Sequence, residues 1–281
     1  MSAHGLAVLD QPTLQADLNY MVPMSERPRT YTFDPPPGVP AFNAAYAAHR
    51  VAVRDIRALD EAPTLDREGF AFLVRPTALQ DFDDEDAIRS RYYAEAAQII
   101  AAATGADRVH IFDHTIRRRL TGTADRAAGQ PRQPVPRVHV DHTERSGPQR
   151  VRDLLPDEAE RLLQGRVQII NLWRPIRGPV RDMPLGVCDA GSTAPEDFVP
   201  SDLVYRNRIG ETYQVTYNPA HRWFYVRDMQ PDEALLIKCY DSLRDGRARF
   251  APHAAFADPT ATGNVPPRES IEIRSLVFHA A

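Results

Sequence analysis

Short apolar runs separated by Pro, Gly, Asp and Asn recur along most of this chain. Alternation and β-branched content predict strands over 29–33, 49–56, 70–74, 108–116, 137–143, 167–173, 203–205, 211–217, 222–227, 234–239 and 268–278. In 108–116, strict alternation would put His110, Phe112, His114 and Ile116 on one face. One stretch has a different period. Over 81–103, Ile88, Tyr92, Ala96, Ile99, Ile100 and Ala103 recur at helical spacing, the acids 83–86 sit at the start, and Gly105 follows as a stop. Two shorter helical turns are expected over 148–163, broken near Pro156. The Pro- and Asp-rich stretch 175–201 reads as surface loop, and 121–136 as a loop that could cover whatever 137–143 carries. Residues 1–17 are expected to form a mobile terminus, and 18–281 a single domain. The expected class is mainly β: a double-stranded β-helix (jelly roll, cupin-like) with flanking α-helices.

Composition narrows the function classes. A net charge of −4 argues against a dedicated nucleic-acid binder. No apolar run is long enough to span a membrane, and the first residues lack the charged and apolar regions of a signal peptide. Cys188 and Cys239 are too few for a disulfide framework or a zinc quartet, so a reduced, cytoplasmic setting is expected.

The candidate chemistry centres on Arg137-Val138-His139-Val140-Asp141-His142-Thr143. On a strand, His139 and Asp141 share a face with Cα atoms roughly 6–7 Å apart, and His142 takes the opposite one. An imidazole and a carboxylate so placed supply two of the three ligands of a 2-His-1-carboxylate site. A lone His-x-Asp is equally a solvated strand edge or an internal hydrogen bond. Two later features change the balance: His253, and Arg268-Glu269-Ser270 at the start of the closing strand.

The order His-x-Asp, distal His, Arg-x-Ser resembles that of the iron/2-oxoglutarate oxygenases and the isopenicillin N synthase group. Further segments fall in the order of one family: Tyr92-Tyr93-Ala94-Glu95, Asn171-Leu172-Trp173-Arg174-Pro175, Trp223-Phe224-Tyr225, Lys238-Cys239-Tyr240-Asp241-Ser242 and Arg268-Glu269-Ser270-Ile271-Glu272. On these the chain resembles, from about Leu18 to its end, the AsaB-like or CmcJ-like hydroxylase/desaturase family of secondary metabolism. The resemblance implies Fe(II) on His139, Asp141 and His253, and 2-oxoglutarate as co-substrate. It implies Arg268 with Ser270 at the far carboxylate of 2-oxoglutarate, with Arg274 and Asn171 also in the cofactor-binding set. It puts Trp173 and Arg174 near substrate, although a core tryptophan and a structural ion pair explain those two equally well. The partners implied are O₂ and a small-molecule substrate, with no nucleic acid and no membrane; a homodimer is compatible.

Arg268, Ser270, Glu272 and Arg274 share one face of a regular strand, so alternation cannot choose the clamp. Arg268 is preferred because Ser270 is its neighbour on that face, whereas Arg274 has Glu272 to pair with. Two rivals stay open: an iron enzyme that uses O₂ without 2-oxoglutarate, and a non-catalytic jelly-roll protein that binds a small molecule.

Overall fold

The computed structural model describes residues 13–123 and 129–280. Its strands are, in chain order, β1 (Thr13–Met21), β2 (Arg29–Tyr31), β3 (Tyr46–Asp55), β4 (Phe70–Val74), β5 (Arg108–Arg118), β6 (His139–Val140) and β7 (Val167–Pro175). These are followed by β8 (Leu185–Cys188), β9 (Phe198–Val204), β10 (Ile209–Val215), β11 (Trp223–Tyr225), β12 (Glu233–Asp241), β13 (His253–Ala255) and β14 (Glu269–Phe278). Nine pair in the order β1-β3-β11-β8-β13-β6-β10-β9-β2, and five in the order β4-β12-β7-β14-β5. Two sheets of mostly antiparallel, non-consecutive neighbours are the expected jelly roll.

The strands of the smaller sheet are nearly continuously apolar because both faces are covered. Trp173, Ile169, Leu235 and Ile237 join Val140 and Val187 in a core between the sheets. On the other face Ile170, Leu172, Leu236, Ile271 and Ile273 pack under the predicted helix. That helix has α1 (Glu85–Ala87), a π-turn (Ile88–Tyr92) and α2 (Tyr93–Thr104). Asp84 caps it by accepting from the Ala87 N–H, and Gly105 ends it at a φ of 68°. α3 (Ser146–Leu154) and α4 (Ala159–Leu162) are the two shorter turns.

Three expectations change. The terminus taken as mobile lies outside the described residues over 1–12, but 13–17 form the first half of β1, with Leu14, Ala16 and Leu18 buried. The stretch 175–201 is not all surface loop. β8 is wholly buried and sits between β11 and β13, a position that the apolar Leu185-Gly186-Val187-Cys188 run between Pro184 and Asp189 already signals. The alternation in β5 also breaks. Its pairing with β14 shifts register between Arg274 and Ser275, leaving Phe112 unpaired. Phe112, Asp113, Thr115 and Arg117 therefore face the cavity described below, whereas His114 turns to the helix and bonds the Tyr93 hydroxyl (2.9 Å) and Glu85 (3.1 Å).

Lys238 on β12 is fully buried, and its ammonium donates to Asp241 (2.8 Å), Asp66 (2.8 Å) and the Ala248 carbonyl (3.0 Å). Asp241 is fully buried too. Removing one partner of a buried pair strands the other charge at a cost of about 3–5 kcal/mol. Lys238→Met is expected to lower the urea midpoint by a corresponding amount at unchanged slope. A loss under about 1 kcal/mol would show that Arg166, which also bonds Asp241 at 2.7 Å, holds the carboxylate alone.

Candidate metal centre

Strand pairing builds the site. β13 lies antiparallel to β6 with His253 directly opposite His139, so the two imidazoles meet with ring centroids 4.5 Å apart. Asp141 follows β6 and keeps the face of His139, with Oδ1 3.5 Å from His139 Nε2. One ligand atom from each of the three lies within 4.8 Å of the others.

The hydrogen bonds around these atoms determine what they offer. His139 Nδ1 lies 2.8 Å from the Arg137 carbonyl, and His253 Nδ1 3.1 Å from that of Ala251. A carbonyl only accepts, so each Nδ1 carries the proton and each Nε2 presents a lone pair. The same local geometry serves both histidines: each is oriented by the carbonyl two residues before it. Asp141 Oδ2 accepts from Asn171 Nδ2 (2.8 Å) on β7 and Arg274 Nε (3.4 Å) on β14. Burial would raise the pKa of Asp141, but the charge of Arg274 beside it holds it well below the usual range. Two imidazole lone pairs and a carboxylate thus converge with no donor among them. That donor set fits a divalent cation with open positions.

Arg274 is not available as an anion clamp. Burial opposes its charge, but Glu272 (2.6 Å), Asp113 (2.8 Å) and Asp141 surround it. Arg268 is the opposite case. It is 3% exposed and donates to Ser270 Oγ (3.1 Å) and the Met183 carbonyl (2.6 Å), with its guanidinium over Trp173 (5.0 Å). No carboxylate lies within ion-pair distance of its side chain among the described residues, and burial beside Arg117 pushes its pKa down. Arg268, Trp173, Glu272 and Leu185 line a small cavity of about 20 Å³ together with His139 and His253.

A much larger cavity, about 1000 Å³, opens on the other side of His139 and Asp141. Arg117, Val135 and His139 border both spaces, so the cavities share a wall. Val135 and Arg132 belong to the loop expected as a cover; its residues 124–128 lie outside the described residues. His142 also lines the larger cavity, with Nδ1 3.3 Å from Ser146 Oγ, and stands outside the three-residue cluster.

Arg174 is not brought to the site. It is fully buried on the opposite face of β7 from Trp173 and donates to the Tyr92 hydroxyl (2.8 Å) and the Pro231 carbonyl (2.7 Å). It ties the helix to the sheet, which is the structural reading of that residue. Sequence reasoning missed Arg150 and Arg208, which line the larger cavity; neither belongs to a spacing pattern that could have exposed it.

A jelly roll with two imidazoles and a carboxylate at one end, and a buried arginine without a carboxylate partner among the described residues beside them, defines a non-haem metal oxygenase framework. Comparison with known proteins agrees. A family model described as "Oxidoreductase/YMDC permease-like domain" matches residues 18–278. The hydroxylase/desaturase efuI of Hormonema carpetanum is 34% identical over 97% of both chains. The Fe(II)/2-oxoglutarate-dependent dioxygenase nvfI of Aspergillus novofumigatus is 33% identical over 88% of this chain and 90% of its own. The solved iron and alpha-ketoglutarate-dependent endoperoxidase NvfI superposes with a TM-score of 0.86 at 29% identity, covering 96% of this chain and 99% of that one. The chain belongs to the hydroxylase/desaturase family of Fe(II)/2-oxoglutarate-dependent oxygenases.

Groups that orient a metal ligand typically contribute ten- to a hundredfold in affinity. Asn171→Ala leaves Asp141 with Arg274 alone and is expected to weaken Fe(II) binding by about that factor. His253→Ala should abolish most binding, and His142→Ala should stay near wild type. Anaerobic equilibrium dialysis measures all three, and a His142→Ala loss equal to that of His253→Ala would refute the assignment.

Proposed function

We propose that His139, Asp141 and His253 hold Fe(II), and that Arg268 with Ser270 holds the far carboxylate of 2-oxoglutarate, for oxidation of a small-molecule substrate by O₂. The observation that carries this reading is the pairing of an acceptor-only cluster with a buried, uncompensated guanidinium on the same wall. Buried charges are otherwise paired. Bound iron would activate O₂ as the oxidant, with two electrons supplied by 2-oxoglutarate as it is converted to succinate and CO₂ and two by the substrate.

The residues of the chain do the positioning. Arg268 Nε donates to Ser270 Oγ, which leaves the serine O–H free to donate to a carboxylate that the guanidinium also grips. Trp173 and Leu185 give this compartment apolar walls that exclude water. The compartment shares Arg117, Val135 and His139 with the larger cavity, so a co-substrate held by Arg268 would lie beside that space. Asn171 and Arg274 act on Asp141, keeping it ionised and aimed at the cluster. Substrate would enter through the larger cavity, whose volume suits a drug-sized molecule. Hydroxylation and desaturation both begin by hydrogen removal from such a substrate.

The two arginines give different signatures. Arg268→Ala should keep Fe(II) and weaken 2-oxoglutarate about ten- to a hundredfold, as loss of a charge-assisted pair predicts. Arg268→Lys should recover only part of it, because an ammonium lacks the planar fork. Arg274→Ala should weaken Fe(II) itself. Anaerobic titration of 2-oxoglutarate, followed by the metal-to-ligand charge-transfer band, separates these outcomes. An unchanged midpoint in Arg268→Ala would reverse the clamp assignment, and no band in the iron-loaded wild type would favour oxygen chemistry without 2-oxoglutarate.

A further inference from the structure

The larger cavity carries more positive charge than its own acids neutralise. Seven arginines and five acids line it among the described residues; four of the acids are engaged by other charges or by the metal cluster, and Asp153 is held by a neutral amide. Asp113 bonds Arg274 (2.8 Å), Asp153 bonds Gln149 (2.8 Å), and Asp202 bonds Arg27 (2.7 Å). Glu211 is held by Arg27, Arg145 and Thr143, and Asp141 belongs to the metal cluster.

Among the described residues Arg137 has no carboxylate but is held over the Tyr46 ring at 5.4 Å; Arg150 and Arg208 also lack one. Arg150 projects from α3, its guanidinium carbon 4.6 Å from the ring centre of Phe112, and its Nε is buried without a hydrogen-bond partner. Arg208 lies over Tyr205 at 4.0 Å. Neither has a carboxylate within ion-pair distance among the described residues. The two are close enough that Arg208, after burial itself, is the next cause depressing the pKa of Arg150. Arg150 is half-buried and Arg208 exposed; a like charge beside a partly desolvated guanidinium disfavours the empty arrangement, less so where solvent screens it. The two are stabilised by an anion between them, and an aromatic ring behind each guanidinium leaves its N–H edge to bind oxygen atoms. Arg150 lines the same cavity as His139 and Asp141, so this charge stands in the space beside the metal ligands.

We propose that Arg150 and Arg208 form a second anion site, distinct from Arg268, that receives an oxyanion group of the organic substrate, a carboxylate or a phosphate. Calling its ligand the substrate rests on the oxygenase reading above; the anion site itself does not. The basis is opposite to that of the co-substrate clamp in one respect: Arg268 faces a cavity of about 20 Å³, whereas Arg150 faces one of about 1000 Å³, so a bulky body can accompany the anion.

The test is calorimetric, on the Fe(II)- and 2-oxoglutarate-loaded full chain under anaerobic conditions. The probes are 2-naphthoate, the neutral 2-naphthamide and 2-naphthyl phosphate. Naphthoate or the phosphate should bind at least about tenfold tighter than the amide, and the better of the two identifies the oxyanion. Arg150→Gln and Arg208→Gln should each remove most of that preference, and Arg150→Lys should restore part of it. The 2-oxoglutarate midpoint should be unchanged in both Gln variants. Equal binding of acid and amide overturns the proposal, as does an acid preference that survives in both Gln variants. So does an acid preference lost in Arg268→Ala, which would make it the co-substrate's clamp. Titrating the probes into protein without 2-oxoglutarate keeps the two readings apart: probe binding there, with no charge-transfer band in the loaded protein, would sink the co-substrate assignment and leave the anion site standing.

Discussion

The pairing of β6 with β13 is the constraint on which the site depends. His139 and His253 are far apart in the chain, and only antiparallel register puts one opposite the other. A slip of one residue would turn one of the imidazoles to the other face of the sheet. β6 is just two residues long, so its own hydrogen bonds cannot hold that register. Its neighbours do: β10 pairs it through Tyr213 and Gln214, and β8 fixes β13 through Val187, Gly186 and Leu185. Gly186 serves this packing directly, because a Cβ there would stand 3.3 Å from the Phe256 ring.

The third ligand joins the two sheets. Asp141 follows a strand of the nine-stranded sheet, yet its carboxylate is bound by Asn171 and Arg274 from adjacent strands of the five-stranded one. Asn171 and Arg274 are themselves cross-strand partners. The ligand set is therefore defined only when the sheets are packed, and the inter-sheet core that holds them together also holds the metal geometry. Two polar tasks are separated along β14. Arg274 is spent on three carboxylates, whereas the side chain of Arg268 has none within ion-pair distance among the described residues. A uniform distribution of acids would have silenced both.

The same economy of counter-charge distinguishes the two cavities. Among the described residues, carboxylates surround Arg274 and none pairs with Arg268, Arg150 or Arg208, the arginines proposed to meet ligands. A buried cation without a partner is costly in an isolated fold, which is the physical ground for the ligand-binding reading proposed for Arg268 and Arg150.

By itself the sequence determined much of this. Alternation put His139 and Asp141 on one face, helical spacing defined the segment up to Gly105, and the family-like segments pointed to the chemistry and to His253. These features are local, or repeat in a known order, and a single chain displays them. What it could not display depends on distant groups. The sequence left Arg268 and Arg274 on one face; only the packed structure shows that Asp113 and Asp141, from other strands, join Glu272 around Arg274, which supports the preference for Arg268. Arg174 was placed near substrate, but the other face of β7 is covered by the helix, where it bonds Tyr92. β8 was read as loop because four residues carry little periodicity, and Arg150 and Arg208 became neighbours only when α3 and the turn between β9 and β10 closed over one cavity. Periodicity reports which way a side chain leaves its own backbone, and only the packed structure decides which charges and walls it meets there.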